Sequence, residues 1–274
     1  MGELFYLYGV TWKEEAQEAG VTQWKGVDGS HPLFYIELGN LAAVVSFVDE
    51  SEFGEEVLKE KTNEMEWLKK KAFRHHEVLM QLNDGMTLIP MKFATIFKKE
   101  ENIQHKASVY ETEWETLLQQ LLGTEEWNVK VYNRSDLLKE HTASRHPEVM
   151  KRKEDIAQMS KGMQYLQTKK LDSFIEEMVS QEQETYARNL HHRFKEFCVD
   201  TTSKKVWNKN VTGKDEEMCW NGAYLLKKDQ VEAFLEQITT AQEDGREAGW
   251  MIEVTGPWPP YHFSDTKTVS GVQG

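Results

Sequence analysis

Basic residues are scarce in this sequence relative to acidic ones. Its 274 residues include 33 Lys and Arg against 46 Asp and Glu, which gives a formal net charge of −13. Proteins that bind nucleic acid draw much of their affinity from Lys and Arg side chains that neutralise phosphates. Anionic lipid headgroups likewise repel a protein with a net negative charge. We therefore predict that neither nucleic acid nor a lipid membrane is a partner.

The sequence also lacks long apolar runs and a secretory signal, and it contains few cysteines. The longest nearly continuous apolar run, residues 41–48, is far shorter than the roughly 20 residues of a membrane-spanning helix. The opening residues Met1 to Tyr6 contain no basic segment followed by an apolar one, so we expect no secretory signal. The two cysteines, Cys198 and Cys219, are too few for a disulfide framework. These features favour a cytoplasmic protein with both thiols reduced.

The common motifs of catalysis and phosphate binding are missing as well. Neither G-x-G-x-x-G nor G-x-S-x-G occurs. The segment that ends at Lys214 lacks the first glycine of a P-loop, because Asn208 occupies that position. Adjacent carboxylates such as Glu176 and Glu177 are expected on solvated helix faces in so acidic a chain. The sequence therefore predicts no catalytic residue, no metal ligand set and no cofactor.

Two adjacent histidines, His75 and His76, are the best candidates for chemistry. His76-Glu77 begins the zinc-protease pattern H-E-x-x-H, but Met80 stands where the second histidine is needed. We therefore expect one imidazole on the apolar face of a helix, held by a hydrogen bond, and the other facing water. The alternative is an enzyme with a pocket in which one of these histidines meets a carboxylate and a metal.

Apolar periodicity predicts an α+β fold of two domains that meet near residue 124. The N-terminal domain, residues 1–124, contains predicted strands and two amphipathic helices, with Gly39-Asn40 as a hairpin turn. The predicted strands are 4–10, 33–38, 41–48 and 88–97, and the helices are 65–82 and 103–121. Residues 13–30 are charged and contain glycine, so we expect them to be irregular.

The C-terminal domain, residues 125–274, shows the element order β-α-β-β-α-β of a ferredoxin-like fold. A helical insertion is expected at about residues 134–162, followed by a long helical pattern over residues 164–197. Unbroken, that helix would be roughly 50 Å long. Its apolar positions thin out at residues 181–184, so the helix is either broken there or projects into solvent. The strand at residues 126–132 fits either this sheet or the N-terminal one.

An unusual segment, Thr255-Gly-Pro-Trp-Pro-Pro-Tyr-His-Phe263, lies near the C-terminus; we call residues 255–263 the strap. Pro257 and Pro260 form a P-x-x-P pattern, which is typical of polyproline II ligands. We favour the alternative that the strap packs over a sheet edge, because Trp258, Tyr261 and Phe263 are large apolar groups that a soluble protein buries.

Several segments together resemble the GvpL/GvpF family of gas vesicle proteins. They follow the order of the family and span nearly the whole chain. The segments are Leu7-Tyr8-Gly9, 41–45, Trp67-Leu68, His75-His76-Glu77, 88–93, 126–131, 162–170, 221–225 and 255–261. The opening Met1-Gly-Glu-Leu4 and the Trp-Pro-Pro-Tyr-His-Phe ending of the strap resemble the GvpL branch more than the GvpF branch.

This resemblance implies a non-enzymatic accessory protein for gas vesicle assembly or nucleation, with two α+β domains of ferredoxin-like character. Its expected partners are the major hydrophobic shell protein and other accessory gas vesicle proteins, and its expected location is the cytoplasm, in association with vesicles. The family supplies no catalytic residues to carry over, and it leaves the partner-binding residues and the roles of His75 and His76 open. The alternative function is a regulatory module that binds a peptide or small ligand on a ferredoxin-like sheet.

Overall fold

The structure, a computed structural model, describes residues 2–264. Met1 and residues 265–274, at the outer ends of the two predicted domains, lie outside the described residues. Helices and two sheets make up the fold, as the predicted α+β class requires. The chain forms two compact units. One comprises the described residues up to Glu126 together with those from Pro257 onward, and the other comprises Trp127–Gly256.

Among its described residues, the first unit contains five complete strands and five α-helices. They are β1 (Glu3–Trp12), α1 (Lys13–Glu18), β2 (Leu33–Leu38), β3 (Leu41–Asp49), α2 (Glu50–Phe53), α3 (Glu55–Lys61), α4 (Met65–Gly85), β4 (Leu88–Pro90), β5 (Ile96–Phe97) and α5 (Glu100–Leu121). The two long helices coincide with the two apolar repeats in the sequence. Every strand of this unit lies in one sheet.

This sheet has the order β2-β3-β1-β4, and β5 also pairs with β1. Strands β2 and β3 are antiparallel, and Leu38 pairs with Leu41 across Gly39-Asn40. The hairpin predicted from that dipeptide is therefore confirmed, and Gly39 supplies the positive φ of 68° that the turn needs. Residues 41–46 of β3 are fully buried, which explains why this strand is apolar on both faces.

Two predictions for the first unit are wrong. Residues 88–97 form two short strands rather than one. The Met91 amide still donates to the Tyr8 carbonyl oxygen of β1, but the chain then turns through Ala94, whose φ is +62°, before β5 pairs with β1. Residues 13–30 are not wholly irregular, since α1 begins directly after β1 and buries Ala16.

The second unit contains the other sheet and the helices around it. Its elements are β6 (Thr124–Asn133), α6 (Ser135–Arg145), α7 (Pro147–Ala157), α8 (Lys161–Lys195), β7 (Cys198–Ser203), α9 (Lys209–Thr212), β8 (Glu217–Lys227), α10 (Val231–Gly245) and β9 (Trp250–Trp258). The sheet order is β7-β8-β6-β9. Strand β6, which the sequence alone leaves between two sheets, thus lies at the centre of this one.

Helix α8 is continuous over 35 residues, so the alternative of a break at residues 181–184 is wrong. Its C-terminal part packs on the sheet through Leu190 and Phe194, which join a core that includes Val129 and Trp250. Its middle part contributes Leu171 and Ile175 to a separate small core, with Val149 of α7. Two different packing surfaces therefore support one helix.

Strand β9 extends to Trp258, three residues beyond the predicted end at Thr255, and so includes the first half of the strap. Pro257 lies within it, and this is compatible with a strand at the edge of a sheet because an edge strand leaves some amides unpaired. No helix among residues 2–264 is both long enough and apolar enough to cross a membrane.

Candidate functional site

His75 lies inside the first unit, where α4 packs against β1. It is 6% exposed, and its Nδ1 lies 3.0 Å from the hydroxyl oxygen of Tyr6. That hydroxyl accepts a hydrogen bond from the Ala94 amide at 2.9 Å, so the hydroxyl proton is available to Nδ1. Nδ1 is then an acceptor, which places the ring proton of neutral His75 on Nε2. The prediction of one hydrogen-bonded histidine on the apolar helix face is confirmed.

The surroundings of His75 keep its ring neutral. Burial lowers the pKa of His75 from 6.5 to about 4, and the neighbouring His76 acts in the same direction, while a hydrogen bond to the Met91 backbone opposes them. The rings of Tyr6, Tyr8 and Phe93 lie within 6.0 Å of the imidazole, centroid to centroid. With Nδ1 engaged by Tyr6, this histidine is a packing residue of an aromatic core.

His76, the next residue of α4, contacts the strap. Its Nδ1 lies 2.8 Å from the Tyr261 hydroxyl oxygen, and its ring centroid is 5.3 Å from that of Trp258. The expectation that the second histidine faces water is therefore wrong. Both aromatic partners come from the other end of the chain, so nothing in the sequence near His76 indicates them.

A second contact fixes the strap through Glu126, a residue at the start of β6 that is fully buried. Its Oε2 accepts a hydrogen bond from the His262 amide at 2.8 Å, and its Oε1 lies 2.6 Å from Nδ1 of His262. Sequence reasoning missed this residue because Glu125-Glu126 resembles the many exposed acidic pairs. The local pattern gives no signal of burial, because Glu126 shares the polar positions of the strand with Asn128 and Lys130.

These contacts define a site that we call the strap anchor, comprising Glu126 and His76 together with Trp258, Tyr261 and His262. Burial, and then the nearby Glu126 carboxylate, raise the pKa of Tyr261, so its hydroxyl stays protonated and can donate to His76. Pro259 and Pro260 are buried. Burial of Pro260 is incompatible with a polyproline II segment offered to a partner, and the packed alternative describes the strap.

The strap anchor contains histidines and a carboxylate, so metal binding is the chemistry to test. Among residues 2–264, no three His, Cys, Asp or Glu side chains are arranged to hold a metal ion. Burial raises the pKa of both Cys198 and Cys219 to about 12, so neither thiol ionises near neutral pH. What the anchor does physically is to hold residues 258–262 against α4 and Glu126 within the first unit.

Four further histidines, at positions 141, 146, 191 and 192, lie in the second unit. His141 and His146 line an open cleft of about 480 Å³ between α6 and α8, together with Arg145, Glu182 and Tyr186. His191 lies elsewhere, with Nδ1 3.2 Å from the Tyr224 hydroxyl oxygen. The cleft is open and lined by charged and aromatic side chains, whereas the His191 ring packs against Tyr224.

Exposed apolar side chains gather in one part of the second unit, residues 150–170, which we call the helical tip. It comprises residues 150–157 of α7, the turn that follows and residues 161–170 of α8. Its apolar side chains that are more than a third exposed are Met150, Met159, Met163, Tyr165 and Leu166. Exposed apolar groups gathered in one region are typical of protein interaction sites.

Fold and site together define an α+β protein whose distinctive polar contacts fix a C-terminal segment. The model of the family described as "Gas vesicle synthesis protein GvpL/GvpF" matches residues 4–265. The chain therefore belongs to the GvpL/GvpF family of gas vesicle proteins, and the resemblance carried by the sequence motifs is confirmed.

Relatives of both branches are similar to this chain over most of its length. Gas vesicle protein L of a Streptomyces species is 25% identical over 238 residues, which cover 86% of this chain and 84% of the relative. Gas vesicle protein F of Haloferax mediterranei is 21% identical over 266 residues, which cover 97% and 95%. The greater likeness to the GvpL branch stays a prediction.

Solved structures support the fold. The crystal structure of GvpF from Anabaena sp. PCC7120 matches with a TM-score of 0.70 at 16% identity, over 96% of this chain and 99% of that one. The structure of GvpF from Microcystis aeruginosa matches with a TM-score of 0.63 at 15% identity, over the same shares of the two chains. At these identities the likeness shows a common fold.

Proposed function

We propose that this protein is a non-enzymatic accessory protein that acts while gas vesicles nucleate and assemble. It binds the major hydrophobic shell protein and other accessory gas vesicle proteins. The observation that carries the proposal is the family match over residues 4–265. The protein acts in the cytoplasm, in association with the vesicles.

Physical reasoning supports a binding role. A shell subunit that is apolar when assembled must hide that surface until it is incorporated. The formal charge of −13 keeps the exterior of this protein well hydrated, while the exposed apolar side chains of the helical tip supply a contact surface. A protein with both features can hold an apolar partner in solution for a short time.

Gene deletion in a vesicle-forming host tests the assembly role. We expect vesicles to be absent or misshapen in electron micrographs, and a plasmid copy of the gene to restore them. Normal vesicles in normal number would contradict the role. Binding is tested separately, by co-purification of the tagged full chain with the shell protein and the other vesicle proteins. If none co-purified, the proposed binding would be wrong, and the role in vesicle assembly would be unaffected by that result.

We also propose that the chain divides into two domains. The predicted division places residues 1–124 in one α+β domain and residues 125–274 in a ferredoxin-like domain with a helical insertion at about residues 134–162. The described residues from Pro257 onward pack in the first unit instead. The sheet order β7-β8-β6-β9 supports the ferredoxin-like domain, because in a β-α-β-β-α-β unit the first and third strands lie at the centre of the sheet. Hydrogen exchange would test the division by asking whether the two parts open as separate cooperative units.

A regulatory module that binds a small ligand is the second candidate. The cleft between α6 and α8 favours it, because Arg145 and Glu182 offer opposite charges beside the ring of Tyr186. A thermal shift of the purified protein on addition of a metabolite, lost in an Arg145→Ala variant, would support this function. The absence of any shift across a metabolite panel would leave vesicle assembly as the role.

A further inference from the structure

The helical tip extends beyond the packed part of its unit. The small core that supports α7 and α8 consists of Val149, Leu171 and Ile175. Residues 161–170 of α8 come before it, and none of them is buried. At 1.5 Å per residue, these ten residues correspond to roughly 15 Å of helix with little packing of its own.

Although exposed, the tip is held in a defined conformation. The side-chain amide of Gln164 donates to the carbonyl oxygens of Ala157 and Met159, at 3.2 Å and 3.0 Å. The Lys169 ammonium lies 5.0 Å from the centroid of the Tyr165 ring, within the range of a cation–π contact. A surface ordered before binding loses less conformational entropy when a partner docks.

The charge of the tip is opposite to that of the remaining chain. Residues 150–170 contain six Lys and Arg against two Asp and Glu, a net charge of +4. The other residues contain 27 basic and 44 acidic side chains, a net charge of −17. Lys151, Lys161 and Lys170 form no ion pair with any residue that the structure describes. The positive charge of the tip is therefore available to a partner.

Apolar and basic groups share the same face of the helix. Met163, Leu166 and Lys170 follow an i, i+3, i+7 spacing, which aligns them along one side of α8. Methionine side chains are flexible and adapt to partner surfaces of different shape. The arrangement suits a second helix that lies alongside, with apolar residues toward Met163 and Leu166 and carboxylates toward the lysines.

We infer that the helical tip binds an acidic segment of another protein, one with apolar residues at helical spacing. The inference rests on the proposed function, in which the protein acts by binding other gas vesicle proteins. An anionic lipid surface suits the tip less well, because the other residues carry a net charge of −17 and would be repelled. A second copy of this chain would also be acidic, and it is one outcome of the test.

Photocrosslinking identifies what the tip touches. The full chain carries benzoylphenylalanine in place of Tyr165 and is produced in a vesicle-forming host, and the crosslinked peptide is sequenced by mass spectrometry. The control places the same group at Glu232, which is exposed on α10. We expect a crosslink from position 165 alone, to an acidic segment with apolar residues three and four positions apart. A crosslink to lipid, to a second copy of this chain or to a segment without acidic excess would overturn the inference, as would no crosslink.

Charge reversal tests whether the lysines of the helical tip contribute to binding. In the chain that carries the crosslinker, the triple change Lys161→Glu, Lys169→Glu and Lys170→Glu should lower the crosslink yield by at least about tenfold. The matched control changes Lys69, Lys98 and Lys99 to Glu; all three are exposed. Each triple variant shifts the formal charge from −13 to −19, so total charge is the same in both. An equal yield from the two variants, with unchanged circular dichroism, would contradict the inference.

The outcomes separate this inference from the proposed function. If the charge-reversed tip variant restores vesicles to the deletion strain and keeps the crosslink, the inference about the helical tip is wrong and the proposed role in assembly is supported. If deletion leaves vesicles normal while the crosslink to an acidic segment persists, the docking surface stands and the assembly role is wrong.

Discussion

His262 and Glu126 are 136 positions apart in the chain, yet Nδ1 of the histidine lies 2.6 Å from Oε1 of the glutamate. The second oxygen, Oε2, accepts a hydrogen bond from the amide of the same histidine. Glu126 is fully buried, and a buried carboxylate is costly unless it is hydrogen-bonded. The strap therefore satisfies this carboxylate, and the carboxylate in turn fixes the strap.

Replacing Glu126 with glutamine tests this relationship. The amide keeps one acceptor oxygen but turns an NH2 group toward a donor, so we expect Glu126→Gln to lower the free energy of unfolding by about 1 to 3 kcal/mol. The exposed change Glu101→Gln serves as the control and should stay within about 0.5 kcal/mol of wild type. Denaturant unfolding measures both. Hydrogen exchange at the His262 amide should accelerate in Glu126→Gln, and an unchanged rate would argue against the contact.

The contact between His76 and Tyr261 predicts energetic coupling between α4 and the strap. We expect His76→Ala and Tyr261→Phe to be non-additive, with a coupling energy of about 0.5 to 1.5 kcal/mol, because either change alone removes the same hydrogen bond. A double-mutant cycle of unfolding free energies measures this coupling. Strict additivity would show that the hydrogen bond contributes nothing in solution.

Burial of His75 predicts a pH dependence of stability. The pKa of His75 is about 4 in the folded protein against 6.5 in the unfolded chain, so only the unfolded chain takes up this proton between those values. His75 therefore lowers the free energy of unfolding as the pH falls from 6.5 to 4, by about 3 kcal/mol in total. Above pH 6.5 its contribution is constant.

The variant His75→Gln should lose this component, so its unfolding free energy should depend less on pH than that of the wild type. The variant His105→Gln, at an exposed histidine, should keep the wild-type dependence. Chemical denaturation between pH 4 and 7 measures the slope, and NMR titration of the His75 ring gives the pKa directly. A ring that titrates near 6.5 in the folded protein would refute the prediction.

The surroundings of Gly9 and Gly162 predict opposite effects of a glycine-to-alanine substitution on stability. A Cβ at Gly9 would lie 2.5 Å from Leu88 Cδ1 and 2.7 Å from the Ile89 carbonyl oxygen. We therefore expect Gly9→Ala to destabilise the protein by about 1 to 3 kcal/mol through overpacking between β1 and β4. Gly162, near the start of α8, has open space, and Gly162→Ala should stabilise by about 0.4 to 1 kcal/mol. Thermal unfolding compares each variant with the wild type, and equal melting temperatures of the two variants would contradict the predicted difference in sign.

Local signals were enough to predict most helices and strands. The hairpin at Gly39-Asn40 needed only a turn dipeptide between two apolar runs, and α4 and α5 followed from apolar spacing. The break between β4 and β5 could not be predicted in this way, because the turn at Ala94 is held by a hydrogen bond from its amide to the Tyr6 hydroxyl. Apolar composition alone does not encode a contact across 88 residues.

The strap anchor shows the same limit for a site. Sequence reasoning singled out His75, His76 and the strap, each from its own composition. It had no means of pairing His76 with Tyr261, nor of separating Glu126 from 45 other acidic residues, because a carboxylate is marked as unusual by its burial and not by its neighbours in sequence.

By itself the sequence determined the α+β class, the family and the acidic surface, because composition, periodicity and ordered motifs are local or additive properties. The tertiary structure decided which sheet contains β6, that α8 is continuous, and how both histidines are engaged. The physical reason is that backbone pairing and buried hydrogen bonds join residues distant in the chain. Their partners are set by packing, which no local window of sequence contains.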